Sequence, residues 1–225
     1  MHIAVLVANT DESDFAQAHP NAGAKFANLL HGLRPDWRVS SFSVKDGAFP
    51  ADAAHFDGWI ITGSPASVQD TDAWVGRLFE LIRAIVARGE PLFGACFGHQ
   101  AISVALGGVV GDNPGGWVFG ATDTMMEGSL IRLYAAHREQ VLTVPTGAVV
   151  LGGNADCPVG SLAIGRRVLT TQYHPEMTHD FMAALVAEYA DKLPADVAAR
   201  ARASLAVEAG RAAIAARMIR FFERP

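Results

Sequence analysis

Continuous apolar runs alternate with helix-like segments through the first half of the chain. The first run, Ile3 to Ala8, contains no polar residue, which is typical of a strand covered on both faces of a sheet. The spacing of apolar residues then predicts a helix over Ala22 to Gly32 and strands over Trp37 to Val44 and Trp59 to Thr62. This order predicts an α/β fold with a doubly wound, mostly parallel sheet flanked by helices.

Two of the loops that follow these strands contain candidate site residues. Gly63 follows the strand that ends at Thr62. Cys96 follows a strand predicted over Leu92 to Ala95, which comes after a helix predicted over Asp72 to Arg88. Ligands of parallel α/β sheets bind outside the carboxyl ends of the strands. We therefore expect Gly63 and Cys96 to lie together at one edge of the sheet.

Cys96 lies between two glycines, Gly94 and Gly98, in the turn that joins its strand to a helical run. This spacing is the layout of a nucleophile elbow, with Cys as the reactive residue. A turn this tight leaves no room for a Cβ at the flanking positions. The helix that follows directs free N–H groups at the sulfur, which favours the thiolate over the thiol. We therefore interpret Cys96 as a nucleophile rather than as a buried, inert cysteine.

A histidine and a glutamate far downstream complete this chemistry. A strand is predicted over Leu169 to Tyr173, and it ends in His174-Pro175-Glu176. Alternate residues of an extended segment face the same side, so His174 and Glu176 can act together. A cysteine nucleophile needs a base, and the base needs a third group that fixes its orientation. Cys96, His174 and Glu176 supply these groups, and we predict that they form a catalytic triad.

The second half of the chain has a different pattern. Short apolar runs punctuated by glycine over residues 107–165 predict a small antiparallel extension of hairpins or a meander. One helix is predicted around Phe181 to Tyr189, and Pro194 ends it. A second helix, rich in Ala and Arg, is predicted over Ala195 to Phe222. We interpret its arginines as a solvated face; they are Arg200, Arg202, Arg211, Arg217 and Arg220.

Composition narrows the class of function. Half of the residues are hydrophobic and 18% are charged, which predicts a large core. The net charge of −5 argues against a nucleic-acid surface, and no run approaches the ~20 apolar residues of a membrane span. Neither a metal site nor a cofactor is expected, because His174 and His179 do not have the spacing of a zinc helix. A reducing cytoplasm is the expected compartment, and Cys157 is expected to be structural.

Three motifs together resemble class I glutamine amidotransferases, the Cys-His-Glu glutaminase family, over about Met1 to Met182. The motifs are Thr62-Gly63-Ser64-Pro65, Gly94-Ala95-Cys96-Phe97-Gly98-His99-Gln100 and Gln172-Tyr173-His174-Pro175-Glu176. The resemblance implies a flavodoxin-like fold and a small-molecule substrate. It implies that Cys96 attacks the γ-carboxamide of glutamine or a γ-glutamyl bond, that His174 shuttles the proton, and that Glu176 orients His174.

The resemblance also implies how the substrate is held. The Gly63–Ser64 peptide and the backbone N–H of Phe97 would form the oxyanion hole. Gln100 would help to hold the substrate, and the backbone of Ala136 and His137 would contact its amino-acid end. Family members often carry Gly-Gly-Pro where this chain has Gly63-Ser64-Pro65, and a backbone donor is compatible with Ser.

A single domain over residues 1–225 is implied, with a catalytic core over about 1–182 and a helical tail over about 183–225. The segment Gln69 to Trp74 and the Phe after Cys96 look most like a stand-alone group that resembles the glutaminase domain of GMP synthase and includes γ-glutamyl peptide hydrolases.

Three functions remain open at this point. The favoured one is Cys-dependent hydrolysis of glutamine or a γ-glutamyl conjugate through a γ-glutamyl thioester. The second is a glutaminase subunit that delivers ammonia to a separate synthetase chain, since too few residues follow Glu176 for an ATP-using domain. The third is a non-catalytic binding or regulatory protein on the same fold. The triad argues against the third, because a binding role does not require Cys96, His174 and Glu176 together.

Overall fold

The structure is a computed structural model that describes residues 1–51 and 55–224. The strands of this part of the chain are β1 (His2–Val7), β2 (Arg38–Ser43), β3 (Gly58–Ile61), β4 (Leu92–Ala95), β5 (Val109–Asp112), β6 (Val118–Met126), β7 (Ser129–His137), β8 (Glu139–Thr143), β9 (Ala148–Gly153), β10 (Ser161–Ile164) and β11 (Val168–Thr171). Its helices are α1 (Asp14–Gln17), α2 (Ala22–Leu33), α3 (Ala73–Ala87), α4 (Phe97–Ala105), α5 (His179–Tyr189), α6 (Ala195–Ser204) and α7 (Arg211–Phe222).

Across the described residues, the main sheet has nine strands in the order β2-β1-β3-β4-β11-β10-β9-β6-β7. The strands β2, β1, β3, β4 and β11 pair in parallel. The remaining four continue the same sheet in antiparallel pairing. A separate antiparallel pair is formed by β5 and β8. The prediction of a mostly parallel, doubly wound sheet with an antiparallel extension is confirmed.

Strand β1 explains why both faces of the parallel part must be covered. Its side chains alternate between the faces, and Ile3 to Leu6 are all fully buried. Ala4 and Leu6 belong to a core built with α3 and α4, whereas Ile3 and Val5 belong to a core built with α2 and α7. Helices on both faces place the carboxyl ends of β3, β4 and β11 at one open edge.

The predicted single helix from Ala195 to Phe222 is wrong, because the chain breaks between α6 and α7. The break is fixed by bonds to distant strands. The hydroxyl of Ser204 accepts the N–H of Ala121 at 2.8 Å, and the N–H of Gly210 donates to the carbonyl of Arg132 at 2.8 Å. The Gly210 bond takes the place of the backbone bond that this N–H would make in a continuous helix, and the Ser204 bond ties the end of α6 to β6.

The helical tail is also more deeply integrated than the sequence indicates. Buried side chains of α7 pack on the sheet beside α2. The interpretation of Arg217 as a solvated residue is wrong, because its side chain is 15% exposed and pairs with Glu127. The predicted end of the catalytic core near residue 182 falls inside α5, and the division into core and tail stays a prediction.

No helix in the described ranges is both long enough and apolar enough to cross a bilayer.

The Phe222 ring tests how much α7 contributes to stability. It is 2% exposed, packs edge-to-face on Trp37 and fills the space above Gly58. We expect Phe222→Ala to lower the free energy of unfolding by about 3–5 kcal/mol in urea titrations, because it leaves a cavity in the core. Val207→Ala is the matched control, since Val207 is 61% exposed and its loss should change stability by less than about 0.5 kcal/mol. Equal effects of the two substitutions would contradict this role of α7.

Candidate active site

Cys96 occupies a strained turn between β4 and α4. Its φ of 50° lies in the left-handed region that favours glycine. Its N–H donates to the carbonyl of Thr171 on β11 at 2.9 Å, and its carbonyl accepts the N–H of Gln100, which begins the helix. The flanking glycines are needed for this approach. A Cβ on Gly94 would lie 2.5 Å from the carbonyl oxygen of Gly98, and one on Gly98 would collide with the carbonyl of Ile61.

His174 and Glu176 form a buried pair beside this turn. Nδ1 of His174 lies 2.7 Å from Oε1 of Glu176, and both residues are about 5% exposed. The backbone N–H of His174 donates to the carbonyl of Tyr134 at 3.0 Å. Because Nδ1 is engaged by the carboxylate, Nε2 is the ring nitrogen left for proton exchange with other groups.

The predicted contact between His174 and Glu176 is present, but the prediction that these residues belong to an extended segment is wrong. Strand β11 ends at Thr171, and Glu176 lies in a turn rather than in an extended segment. The Thr171 hydroxyl accepts the N–H of Tyr173 at 3.2 Å, which offers the backbone an alternative to the strand ladder. The Tyr173 side chain is fully buried, and its hydroxyl donates to Thr124 at 2.8 Å. These two bonds fix the bend that brings His174 back to Glu176.

The surroundings of the buried histidines favour different charge states. Burial alone would lower the pKa of His174, but the charges of Glu176 and Cys96 outweigh it and raise the pKa to about 10. Burial lowers the pKa of His99 to about 3 and that of His137 to about 4, so both rings are neutral at pH 7. His174 is therefore the histidine suited to stabilise a neighbouring thiolate.

Gly63 lies against both Cys96 and His174. A Cβ at this position would be 2.8 Å from Cε1 of His174 and 3.4 Å from Cβ of Cys96. The adjacent Thr62 hydroxyl accepts the N–H of Ala8 at 3.0 Å and donates to the Gly63 carbonyl at 3.1 Å. The C=O and N–H of a trans peptide point in opposite directions, so the Ser64 N–H is directed away from Thr62.

The other predicted site residues divide into two groups. Ala136 faces the reactive sulfur, with its carbonyl oxygen 3.9 Å from Sγ of Cys96. The side chains of Gln100 and His137 instead lie behind the site. Gln100 donates to the carbonyl of Glu139 at 2.8 Å, and Nδ1 of His137 lies 3.0 Å from the same oxygen. The Phe97 ring is buried against Trp74, which leaves only its backbone as a candidate for the site.

A cavity of about 480 Å³ opens beside these groups, a volume typical of small-molecule sites. Of the predicted residues, the structure brings Gly63, Ser64, Cys96, Ala136, His174 and Glu176 to its wall. Phe97, Gln100 and His137 are not among the lining residues.

Sequence reasoning missed several groups at or beside this cavity. Thr62 lies within a quoted motif, but nothing in the sequence assigned a role to its hydroxyl. Lys25 carries no local signal, because its helix resembles any amphipathic helix. The cavity also has an aromatic part, called the aromatic wall below, whose rings come from separate parts of the chain: Phe15, Trp117, Phe119, Phe181 and Tyr189. Among the residues that the structure describes, no cluster of three or more His, Cys, Asp or Glu side chains could hold a metal ion.

Comparison with known proteins decides the family. The family model described as glutamine amidotransferase class-I matches residues 28–188. The chain belongs to this family. A γ-glutamyl peptidase 4 from Arabidopsis thaliana is 29% identical over 196 residues, which cover 79% of this chain and 77% of the peptidase. A glutamine-hydrolysing GMP synthase from Aeropyrum pernix is 32% identical over 131 residues, which cover 54% of this chain and 24% of the synthase.

A solved structure of a glutamine amidotransferase from Thermotoga maritima has the same fold as this chain. It superposes with a TM-score of 0.77 at 14% identity, covering 99% of this chain and 98% of that protein. The resemblance predicted from the three sequence motifs is thus confirmed at the level of the family and the fold.

The two cysteines are expected to differ in reactivity. Cys157 is fully buried, and burial together with the charges of Cys96 and Asp156 raises the pKa of its thiol to about 12. At pH 8 only a fraction on the order of 10⁻⁴ of Cys157 would be thiolate. We expect iodoacetamide to add one label to the folded protein, at Cys96, as mapped by mass spectrometry of tryptic peptides. The Cys96→Ser variant should stay unlabelled until it is unfolded. Labelling of Cys157 before Cys96 would contradict the assignment.

Proposed function

We propose that this chain is an enzyme that hydrolyses a γ-glutamyl amide bond, in glutamine or in a γ-glutamyl conjugate, with Cys96 as nucleophile. The observation that carries the proposal is the buried His174–Glu176 pair beside Cys96 at the wall of the cavity. This arrangement has a nucleophile, a base and an orienting carboxylate, which acyl transfer through a cysteine requires. The γ-glutamyl peptidase and GMP synthase relatives support the same reaction class.

The reaction proceeds in two halves. The thiolate of Cys96 attacks the γ-carbonyl carbon, and the tetrahedral intermediate collapses as the C–N bond breaks. Nε2 of His174 gives its proton to the leaving nitrogen, so ammonia or an amine departs and a γ-glutamyl thioester remains. His174 then takes a proton from water, the hydroxide attacks the thioester, and glutamate leaves as the thiolate of Cys96 is restored.

The oxyanion that develops in both halves needs donors placed before reaction. The backbone N–H groups of Ser64 and Phe97 are proposed for this role. The bond from Thr62 to the Gly63 carbonyl supports a preformed hole, because it holds the oxygen of the Gly63–Ser64 peptide away from the position of a donor. The backbone of Ala136 and His137 is proposed to hold the γ-glutamyl part. Gln100 is proposed to act indirectly, by positioning this segment through its bond to the carbonyl of Glu139.

A glutaminase subunit that passes ammonia to a separate synthetase chain is the second candidate, favoured by the similarity to GMP synthase. A free-standing hydrolase is preferred, because the Gly63 carbonyl is already engaged by Thr62 in the isolated chain. Hydrolysis of glutamine or of γ-glutamyl dipeptides by the purified chain alone, measured as ammonia and glutamate released, separates the two candidates. Turnover that begins only when a synthetase partner is added would favour the subunit.

Two further statements belong to this proposal. A cysteine nucleophile must stay reduced, so we propose a cytoplasmic location. We also propose that residues 1–225 form a single domain.

The triad makes a graded prediction. Cys96→Ala and Cys96→Ser should lose turnover by about 10⁴-fold or more, and His174→Ala should fall to background. Glu176→Gln should keep a measurable remnant, because it removes the orienting charge and leaves the base. Glutamate and ammonia released from glutamine and from γ-glutamyl dipeptides are the readout. His31→Gln is the control, since His31 is exposed at the end of α2. Full activity of Glu176→Ala would place the third member of the triad elsewhere.

Thr62 provides a test of the preformed oxyanion hole. Thr62→Val removes the hydroxyl that holds the Gly63 carbonyl and keeps the shape of the side chain. We expect kcat to fall by up to the 10²–10³-fold that loss of one oxyanion donor typically costs, with a smaller change in KM. Thr62→Ser should restore most of kcat.

Stability must be measured in parallel with this kinetic test. Thr62→Val also leaves the buried N–H of Ala8 unpaired, which costs about 1–3 kcal/mol. A wild-type kcat in a folded Thr62→Val protein would overturn the positioning role.

A further inference from the structure

The cavity beside Cys96 is larger than the departure of ammonia requires. Ammonia needs no binding surface, yet the cavity extends from the nucleophile to an aromatic wall that includes Phe15, Phe181 and Tyr189. Apolar and aromatic side chains of this kind line sites for small organic groups, and in this cavity they stand beside polar residues such as Asn9, Asp11 and Ser43. The extra space therefore fits a leaving group with apolar bulk.

His174 indicates on which side of the cavity a leaving group must lie. The proton for the leaving nitrogen comes from Nε2 of His174, so the leaving group departs along the His174 side of Cys96. Glu176, Met177, Phe181 and Lys25 all line this cavity, and the ammonium of Lys25 lies over the Phe181 ring. The Glu176 carboxylate is also one of the groups that act electrostatically on Lys25, so this lysine lies near the end of the triad.

Lys25 is a cation at this wall that no carboxylate of the described residues contacts directly. Its ammonium lies 3.2 Å from the centroid of the Phe181 ring. Within residues 1–51 and 55–224 it makes no hydrogen bond and no ion pair, although Asp11 and Glu176 act on it at longer range. Burial lowers the pKa of Lys25 to about 8, although the charges of Glu176 and Asp11 act to raise it. Such a group gains most from an anionic partner, because a partly desolvated charge is costly unless it is paired.

The other lysine at the cavity wall does not have this property. Lys45 already pairs with Glu12 at 2.6 Å and with Asp46 at 2.8 Å. Its charge is therefore balanced before any ligand binds. Lys25, and not Lys45, has the capacity to receive an anion.

We propose that Lys25 binds the carboxylate of the leaving group and that the aromatic wall binds its side chain, an inference that rests on the proposed hydrolase function. The preferred substrates are then γ-glutamyl conjugates of aromatic amino acids rather than glutamine. Glutamine lacks this second carboxylate, because its only one belongs to the γ-glutamyl part that all these substrates share. The amine released is an amino acid whose own carboxylate pairs with Lys25.

The test compares substrates that differ by one charge. γ-Glutamylphenylalanine and its C-terminal amide have the same shape, but only the acid can pair with Lys25. We expect kcat/KM for the acid to exceed that for the amide by about tenfold or more, since a hydrogen bond to a charged group contributes about 1.5–3 kcal/mol. γ-Glutamylglycine, which lacks the ring, should be a poorer substrate than γ-glutamylphenylalanine.

Variants of Lys25 test whether the preference for the acid over the amide depends on the charge of this lysine. Lys25→Met keeps the length of the side chain over Phe181 and should bring the acid-to-amide ratio close to one, whereas Lys25→Arg should restore it. Lys192→Met is the matched control. Lys192 also lies over an aromatic ring, that of Tyr189, but it is exposed and paired with Glu188. Its substitution should leave the ratio at the wild-type value.

The outcomes separate this subsite from the proposed function. If the substrates are hydrolysed but the ratio is near one in the wild type, or unchanged in Lys25→Met, the subsite is wrong and the hydrolase stands. If no substrate is hydrolysed, the proposed function fails, and calorimetry on Cys96→Ala still tests the subsite. Cys96→Ala should bind the acid more tightly than the amide, and Cys96→Ala/Lys25→Met should not. Equal affinities in Cys96→Ala would overturn the proposal.

Discussion

Backbone contact between α4 and the parallel strands is the constraint on which the rest of the site depends. Gly94 and Gly98 have no Cβ, so the first turn of α4 packs directly on its own strand and on the carbonyl of Ile61 in β3. Ile61 is followed by Thr62 and Gly63, and the same contact therefore fixes the Gly63 loop relative to Cys96. Larger residues at either glycine would separate the nucleophile from the loop.

The second constraint is electrostatic. His174 is buried with a single carboxylate partner, and the other buried histidines of the region are held neutral by desolvation. A buried ion pair is not by itself a strong source of stability. Its effect here is that His174, beside Cys96, is the buried histidine of this region whose pKa is raised rather than lowered. The bend after β11, held by the bonds of Thr171 and Tyr173, is what gives that ring its position.

The elements that sequence reasoning predicted well are those whose signals are local. The strands β1, β3 and β4 have continuous apolar runs, and α3 is bounded by the predicted Asp72 and Arg88. The predictions that were wrong depend on distant partners. The break before α7 requires the carbonyl of Arg132, and the buried state of Arg217 requires Glu127. No window of sequence around those residues contains that information. The geometry of the site was predictable in part because strand ends converge in this fold.

The cavity shows why substrate choice is harder to predict than chemistry. The reacting groups come from the strand ends of the parallel sheet, where the fold restricts their positions. The rest of the wall instead combines Lys25 on α2 and Phe181 on α5 with Trp117, just before β6, and Phe119 on β6, which two other strands separate from β11 in the sheet. Side chains on such peripheral elements can change without moving Cys96 or His174. Under the proposed function, the same three reacting groups could therefore serve different γ-glutamyl compounds, because function depends on a site built onto a shared fold. In the proposed subsite, the charge of Lys25 is the feature of that wall that would distinguish an anionic leaving group from ammonia.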